Sequence, residues 1–457
     1  MKRFFATILC ALLLALPLSA CAGGTPRLDP KNPVTLSMWH NYGGDMQKSM
    51  DELIDEFNGT IGREKGILIT VEAISSSAEL QESLNSIAAG DPGAPKMPDI
   101  TTSYPKTAIL FESKGMLANL DEYLSAEDRS AYVEPFLEEG RLGDGGLYVF
   151  PLAKSTEILY LNQTLFDRFA AETGVTMESL QSFEGIADAA AKYYAWTDTK
   201  TPDVPGDGKQ FYAADSWFNF AQAGALQQGE SLFDGENLAL QGEAYRRIFK
   251  ACFAPSVAGG FAIYDGYSSD LSKTGDLVCS TGSSAGILFY GDTITTPDNR
   301  TEQVEYSILP FPIFQGGKKI AIQRGNGLVV AKSDKRREYA AFLFLKWLTS
   351  PEINLRFVAA TGYLPVTKEA FETLLPRAVQ SAENPRVRQM LETVTEMQAS
   401  YDFFVAPTFE DFDALSKRYE ADYKALLTAE REAYLTGGSY DLAAREEAAL
   451  AAFSQNH

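Results

Sequence analysis

Beyond residue 33, apolar and polar positions alternate first with the period of a strand and then with that of a helix. Residues 34–38 and 67–74 are short runs rich in strand-forming side chains, whereas residues 45–57 carry an apolar residue every three or four positions. The pattern predicts strands at 34–38, 67–74 and 99–102, helices at 45–57 and 80–89, and a loop at 39–44. Strand and helix in regular alternation indicate an α/β fold with a mainly parallel sheet.

The remaining chain continues the α/β pattern with fewer strands. The extended stretch is 148–162, and helical spacing recurs at 165–172, 183–194, 338–348 and 409–453. In open parallel sheets, ligands bind beyond the carboxyl ends of the strands. The loops that follow residues 38 and 102 are therefore the first places where we expect a binding site.

The first twenty residues predict a secretory signal peptide. Lys2 and Arg3 precede an apolar run at 4–16 that is too short to span a bilayer. The sequence Leu-Ser-Ala-Cys at 18–21 resembles a lipobox, which makes Cys21 a predicted lipid anchor. A plain signal peptide, in which Cys21 is incidental, is the alternative. Residues 21–33, rich in Gly and Pro, are predicted to form a flexible tether.

The chain carries a formal charge of −21, which limits its partners. Nucleic acids and anionic lipid headgroups require clustered positive charge, so neither is expected to bind, and the membrane is reached only through the lipid on Cys21. The length suggests two or three compact units. Cys252 and Cys279 could form a disulfide or be separate buried thiols, and their spacing does not decide between the two.

Few residues could support enzymatic chemistry. Gly-Ser-Ser-Ala-Gly at 282–286 matches the G-x-S-x-G nucleophile motif, but a serine hydrolase needs a histidine after the serine. His40 precedes it, and we expect His457 to be frayed at the terminus. The two histidines are far apart in the sequence and leave no cluster of residues that could bind a metal ion. We therefore predict no catalytic residue, no metal and no cofactor. A glycosidase, which needs only two carboxylates, stays the alternative.

Six sequence blocks together resemble extracellular solute-binding protein family 1, the substrate-binding lipoproteins of carbohydrate ABC importers. The blocks are MWH at 38–40, PDI at 98–100, FPL at 150–152, RGNGLVV at 324–330, FLKWLTSPE at 344–352 and TGYLPV at 361–366. The resemblance implies the two-lobed periplasmic-binding-protein fold, type II and similar to maltose-binding protein, with the ligand cleft between the lobes. It implies one lobe from 34–152 plus 308–357 and another from 155–307 plus 362–457. The chain would cross between them near 150–155, 307–312 and 362–366.

Within this family, the pattern is most similar to the glycerol-3-phosphate-binding branch. The shared segments are KST at 154–156, STGSS at 280–284 and TGYLP at 361–365. The resemblance implies that Ser155, Ser283 or Ser284, Gly325 and Tyr363 face the ligand. The chain departs from the branch at 104–106, where a glutamate is replaced by Tyr-Pro-Lys, and at 400–407, which lacks an arginine. Lys106 or Arg324 could supply a replacement charge.

A sugar needs aromatic rings against its C–H faces and hydrogen-bonding partners for its hydroxyls. Asn41 is one candidate polar partner. The predicted ligand-binding residues are Trp39, His40, Tyr42, Tyr104, Ser155, Glu157, Trp217, Ser283, Ser284, Gly325, Asn326 and Tyr363. We predict a monomeric, extracytoplasmic lipoprotein that captures a carbohydrate or polyol, including glycerol 3-phosphate, by lobe closure. It would deliver this solute to the transmembrane subunits of an ABC permease.

Overall fold

The computed structural model describes residues 26–457 apart from 75–76, 297–298, 382–383, 410 and 437–438. Its strands are β1 (Val34–His40), β2 (Ile67–Ala73), β3 (Ile100–Ser103), β4 (Phe150–Asn162), β5 (Tyr212–Ala214), β6 (Phe233–Asp234), β7 (Asn237–Leu238), β8 (Cys279–Ser283), β9 (Thr293–Thr295), β10 (Thr301–Gln303), β11 (Tyr306–Leu309), β12 (Ile320–Val330) and β13 (Asp402–Phe404). Its longer helices are α1 (Gly44–Phe57), α2 (Ser77–Ala89), α3 (Pro105–Glu112), α4 (Gln163–Thr173), α5 (Phe183–Asp198), α6 (Trp217–Gln227), α7 (Glu243–Ala258), α8 (Lys335–Leu348), α9 (Pro351–Thr361), α10 (Pro385–Ser400), α11 (Phe412–Leu435) and α12 (Leu442–Asn456).

Most strands join one mixed sheet in the order β2-β1-β3-β12-β4-β8-β5, with β11 added to β4 and β13 to β12. The outer pairs β1–β2, β1–β3 and β5–β8 are parallel. The central pairs β3–β12, β12–β4 and β4–β8 are antiparallel. The prediction of parallel strands is therefore confirmed for the two sides, while the middle of the sheet runs antiparallel.

Two large apolar cores lie toward opposite ends of the long strands β4 and β12. Both strands contribute side chains to each core. Phe150 of β4 and Leu328 of β12 belong to the first core, which also contains β1, β2 and α8. Ile158 of β4 and Ala321 of β12 belong to the second core, together with α5, α6, α7 and α11. Each of the two long strands therefore runs from one lobe into the other.

The lobe boundaries stay a proposal, and we revise one of them on the basis of core packing. Phe311 and Phe314 are buried in the second core, and β11 pairs with the β4 segment of that lobe. A return to the first lobe at residue 308 does not fit this packing. We propose that the return occurs within β12, near residue 325. At the third predicted crossing, Leu364 packs in the second core and Val366 in the first.

Predicted elements match the structure closely where one face is buried, and differ at their ends. β1 continues to His40, so Trp39 and His40 belong to a strand and not to the predicted loop. The reason is that β1 has two parallel neighbours, and Trp39 is paired with Glu72 of β2 and Thr101 of β3. The predicted strands, the helix near 45–57 and the helix near 338–348 are otherwise confirmed within a few residues.

The predicted signal peptide at 1–20 and Cys21 lie outside the described residues. Residues 26–33, the described part of the predicted tether, are mostly exposed. Leu28 nevertheless packs against the first core, and the backbone carbonyl of Asn32 accepts a hydrogen bond from Arg336. In the described part of the chain, no helix combines the length and the apolar character needed to cross a bilayer.

Cys252 and Cys279 are free, buried thiols, which decides between the two alternatives that their spacing left open. Cys252 lies on α7 and Cys279 begins β8, and both belong to the second core. Burial raises the pKa of each thiol well above its usual value, so neither is a reactive thiolate at neutral pH. They act as small apolar side chains.

Gly325 determines how closely β12 approaches β4. Its φ is +111°, and a Cβ added there would lie 2.2 Å from the carbonyl oxygen of Ala153. Replacing Gly325 with Ala is expected to lower the free energy of unfolding by about 3 kcal/mol, measured by urea denaturation. Gly316 is the matched control, because it also has a positive φ (+76°) but open space around it. Gly316→Ala should cost about 1 kcal/mol. Equal losses in both variants would contradict a close contact at Gly325.

Candidate functional site

A cavity of about 1000 Å³ opens between the lobes, beside the part of β12 that passes from one lobe to the other. The first lobe contributes α2, the start of α3 and Glu139, whereas the second contributes Asn219, Tyr267 and the start of α11. Polar and aromatic side chains dominate this surface. Its lining includes Gln81, Glu82, Asn85, Tyr104, Lys106, Glu139, Asn219, Tyr267, Gln323, Arg324, Gly325, Thr408, Asp413 and Lys417.

Arg324 lies on the floor of this cavity and is held by a buried carboxylate. Its Nη1 donates to Oε1 of Glu157 over 3.0 Å, and Nδ2 of Asn219 donates to the same oxygen over 2.8 Å. The Arg324 side chain is 35% exposed, whereas that of Glu157 is 3% exposed. Glu157 therefore holds the pair in place from the buried side. The guanidinium of Arg324 is the group of this pair that a solute can reach.

Buried acids surround this pair and set its electrostatics. Burial raises the pKa of Glu157 above its ordinary value, and the nearby Arg324 charge opposes that effect. Burial likewise raises the pKa of Asp215, although hydrogen bonds from Ser268 lower it. The pKa of Arg324 is raised, because the attraction of Glu157 and its neighbours exceeds the opposing effect of burial. The guanidinium is therefore the permanent charge in this group.

A second group of predicted residues lies around the ends of β1 and β3. Tyr104 follows β3, caps α3 and lines the cavity. Tyr42 is buried, and its Oη donates to Oδ1 of Asn326 over 2.9 Å. Asn41, Asn326 and Tyr104 line a small pocket beside the main cavity. Burial raises the pKa of Tyr363, and the phenol of Tyr104 raises it further.

The three predicted serines lie together where β4 meets β8. Oγ of Ser283 donates to Oγ of Ser155 over 3.3 Å, and Oγ of Ser284 accepts from the backbone N–H of Thr156 over 3.4 Å. Ser284 and Ser155 are buried, whereas Ser283 is partly exposed. Ser155 is also paired with Arg324 across the β4–β12 ladder. Ser155 thus lies beside Arg324 in the sheet.

Three predicted aromatic candidates are buried and are not among the residues that line the cavity. Trp39 packs with Leu80 and Leu84 in a small core beneath α2. Trp217 is enclosed by rings of the second core, including Tyr423. His40 is fully buried, and burial lowers its pKa more than the nearby Asp51 raises it. We therefore place these three outside the cavity wall.

The serine motif at 282–286 has no histidine beside it. His457 was expected to be frayed, and this expectation is wrong. Its side chain is 1% exposed and packs 4.5 Å from the ring of Phe453 at the end of α12. The aromatic surface of Tyr419 and Phe453 provides an apolar site that holds the imidazole. Among the described residues, no group of three or more His, Cys, Asp or Glu side chains is arranged to hold a metal ion.

Several cavity residues were not predicted from the sequence. Asn219 on α6 supports Glu157, although 62 positions separate them. Glu139 receives a hydrogen bond from the buried Lys154 over 2.8 Å and another from Gln323. Neither residue belongs to a motif with a distinctive spacing. Lys154 lies within the predicted extended stretch 148–162 and was visible there as a polar residue. Its partner Glu139 is set by the tertiary structure.

An ion pair links the lobes across the mouth of the cavity. Nζ of Lys106, at the start of α3, contacts Oδ1 of Asp413 at the start of α11. Oδ2 of Asp413 accepts from Nε2 of Gln81 over 3.4 Å and lies 3.3 Å from Nζ of Lys417. Although burial acts to raise it, the pKa of Asp413 is lowered by these cations, above all by Lys106. Lys106, one of the two predicted replacement charges, is therefore already neutralised by a carboxylate.

Comparison with known proteins places this geometry in a family context. The family described as bacterial extracellular solute-binding protein matches residues 52–388. A relative, the sn-glycerol-3-phosphate-binding periplasmic protein UgpB of Agrobacterium fabrum, is 24% identical over 406 residues, which cover 84% of this chain and 87% of the relative. This relative confirms the predicted resemblance to the glycerol-3-phosphate-binding branch.

Two solved structures share the fold. UgpB from Mycobacterium tuberculosis in complex with glycerophosphocholine has a TM-score of 0.65 and 19% identity, covering 92% of this chain and 99% of that one. The maltose/maltodextrin-binding domain MalE from Bdellovibrio bacteriovorus, bound to maltotriose, has a TM-score of 0.63 and 18% identity. The match covers 93% of this chain and 99% of that one. They confirm the predicted two-lobed α/β fold.

Removing the charge of Asp413 is expected to favour separation of the lobes. An ion pair at this partly exposed position contributes up to about 1 kcal/mol, so Asp413→Asn should raise the ratio of open to closed molecules up to about fivefold. Small-angle X-ray scattering of the ligand-free chain should show a larger radius of gyration. Asp411→Asn, an exposed position beside the same helix start, is the control. Salt at about 1 M, where the Debye length is about 3 Å, should expand the wild type in the same direction. Superimposable profiles for wild type and Asp413→Asn would contradict the interlobe role of this pair.

Proposed function

The chain belongs to the family of bacterial extracellular solute-binding proteins, and on this basis we propose that it is the substrate-binding lipoprotein of an ABC importer for a carbohydrate or related polyol. One observation carries the proposal. The cavity of about 1000 Å³ is lined from both lobes by aromatic rings and hydrogen-bonding groups, as a hydroxyl-rich solute requires. Glycerol 3-phosphate and its esters belong to the proposed ligand range.

The polar groups of the cavity suit hydroxyls on several sides of a solute. Gln81 and Asn85 approach from the first lobe, Asn219 approaches from the second, and Arg324 lies on the floor. Tyr104 adds an aromatic surface on the first-lobe side. A solute that hydrogen-bonds to both walls stabilises the closed arrangement by the difference between its affinities for the closed and open forms.

The relatives' ligands support two solute types that the charge distribution can accommodate. One relative is named for sn-glycerol 3-phosphate, and one similar structure holds maltotriose. The cations Lys106 and Arg324 each contact a carboxylate, which suits an uncharged sugar. Arg324 is also exposed enough to donate further hydrogen bonds to a phosphate ester. The volume of the cavity favours a solute larger than glycerol 3-phosphate itself.

Delivery to a permease completes the proposed role. Members of this family are substrate-binding proteins of ABC importers and not enzymes, so the alternative of a glycosidase is set aside. The chain is accordingly extracytoplasmic. We propose that its closed form docks as a monomer on the transmembrane subunits of the permease, and that a lipid on Cys21 keeps it at the membrane. The solute leaves unchanged.

A thermal-shift screen tests the binding function. The chain is heated with maltotriose, smaller sugars, polyols, glycerol 3-phosphate and glycerophosphocholine. A ligand present at a hundred times its dissociation constant should stabilise the fold by about 2.7 kcal/mol, which is a clear increase in the unfolding midpoint. Tyr104→Ala should reduce the shift, because its ring lines the cavity. Tyr434→Ala, at an exposed position on α11, is the control. No shift with any compound in the panel would contradict the proposal.

The lipid anchor is tested in cells that process lipoproteins. Cys21→Ser removes the thiol that would be acylated, so the chain should move from the membrane fraction to the soluble extracytoplasmic fraction. Quantitative immunoblotting of the two fractions measures the change. Cys252→Ser, which alters a thiol in the second core, should leave the distribution unchanged. Retention of the Cys21→Ser variant on membranes would refute acylation at this position.

A further inference from the structure

Tyr267 is an aromatic residue in an unusual position for a side chain of its size. Its side chain is 70% exposed, yet it lines the cavity on the second-lobe side. Tyr264, three positions earlier in the same loop, is 38% exposed and is not among the cavity-lining residues. The ring of Tyr264 lies over its own loop, where a Cβ on Gly266 would be 2.6 Å from it. Tyr267 is therefore the tyrosine of this loop that a solute in the cavity meets.

The backbone that carries Tyr267 is fixed although its side chain is in solvent. Tyr267 occupies the N-cap position of the short helix Ser268–Ser272, and its backbone carbonyl accepts a hydrogen bond from the N–H of Asp270 over 2.9 Å. Both the N–H and the Oγ of Ser268 donate to Oδ1 of the buried Asp215, over 2.8 and 2.6 Å. Oγ of Ser268 is also 2.9 Å from Oη of Tyr290 in the second core. These bonds hold the adjoining residue in place, so the phenol ring is presented from a rigid support.

Tyr267 and the first-lobe residue Tyr104 line the same cavity. Burial raises the pKa of Tyr363, and the phenols of Tyr104 and Tyr267 both add to that increase, whereas Arg324 opposes it. Tyr104 comes from the first lobe and Tyr363 from the segment near the third crossing, so Tyr267 supplies the second-lobe side of the group. A ring-bearing solute on Arg324 would have an aromatic surface on either side.

We propose that Tyr267 is a specificity-determining residue that stacks its ring on the apolar face of a ring-bearing solute, opposite Tyr104. The inference rests on the proposed function and extends it, because it commits the cavity to solutes with a pyranose-like face. The exposed ring of Tyr267 leaves apolar surface in contact with water. Covering that surface with the ring of a solute favours closure of the lobes. Glycerol 3-phosphate lacks a ring and cannot use this contact.

Isothermal titration calorimetry of the full chain with maltotriose, glycerol 3-phosphate and glycerophosphocholine tests the proposal. The wild type should prefer maltotriose. Tyr267→Ala should weaken maltotriose binding about tenfold, whereas Tyr267→Phe, which keeps the ring, should stay within about twofold of the wild type. Tyr264→Ala is the matched control and should also stay within about twofold. Both tyrosines are exposed, and equal unfolding midpoints would show that the variants are folded.

Each other outcome contradicts a defined part of the proposal. Wild-type binding of maltotriose that Tyr267→Ala leaves unchanged overturns the assignment of Tyr267 alone. A tenfold loss in Tyr267→Phe shows that the hydroxyl makes the contact, which overturns ring stacking. Preference of the wild type for either ring-free compound overturns the commitment to a ring-bearing solute. A wild type that binds none of the three overturns this inference, and the proposed function itself falls only if the wider screen also finds no ligand.

Discussion

The antiparallel pairing of β4 with β12 is the constraint on which the rest of the molecule depends. Each strand is long enough to take part in both cores, so the lobes share a sheet at the point where they meet. Gly325 permits the close approach of the strands, and the register shifts just after it, between Asn326 and Gly327. Shifts of this kind re-aim side chains. Here the irregular step follows the arginine that forms the cavity floor.

Charge compensation is the second organising feature. Three cations at or below the cavity contact a carboxylate each: Lys106 contacts Asp413, Lys154 contacts Glu139, and Arg324 contacts Glu157. The Lys154 pair is almost fully buried, where an unpartnered charge would be very costly. The Lys106 pair is partly exposed and spans the lobes. The burial of the carboxylates divides these pairs. Glu139 and Glu157 are almost fully buried and hold Lys154 and Arg324 in place, whereas Asp413 is partly exposed and forms a separable contact at the rim.

This division connects stability with function. A hinged binding protein needs a rigid centre and walls that can part, and the free energies involved must differ accordingly. The β4–β12 ladder and the buried ion pair of Lys154 with Glu139 supply this rigid centre. At the rim, a partly exposed ion pair contributes little, so a modest difference between a solute's affinities for the closed and open forms can decide between them. The three serines and Asn219 add hydrogen bonds at the centre without adding net charge.

The sequence by itself determined the order of the elements, the family and the loops after the first and third strands. Local periodicity and block spacing are properties of neighbours in the chain, which is why β2, α1 and α8 were predicted within a few residues and Tyr104 was located. The sequence did not determine which aromatic rings are enclosed, and the packing of Trp39 and Trp217 in apolar cores came only from the tertiary structure. Only the tertiary structure joined Glu157 to Asn219 and Lys106 to Asp413, because those contacts depend on the packing of segments 62 and 307 positions apart.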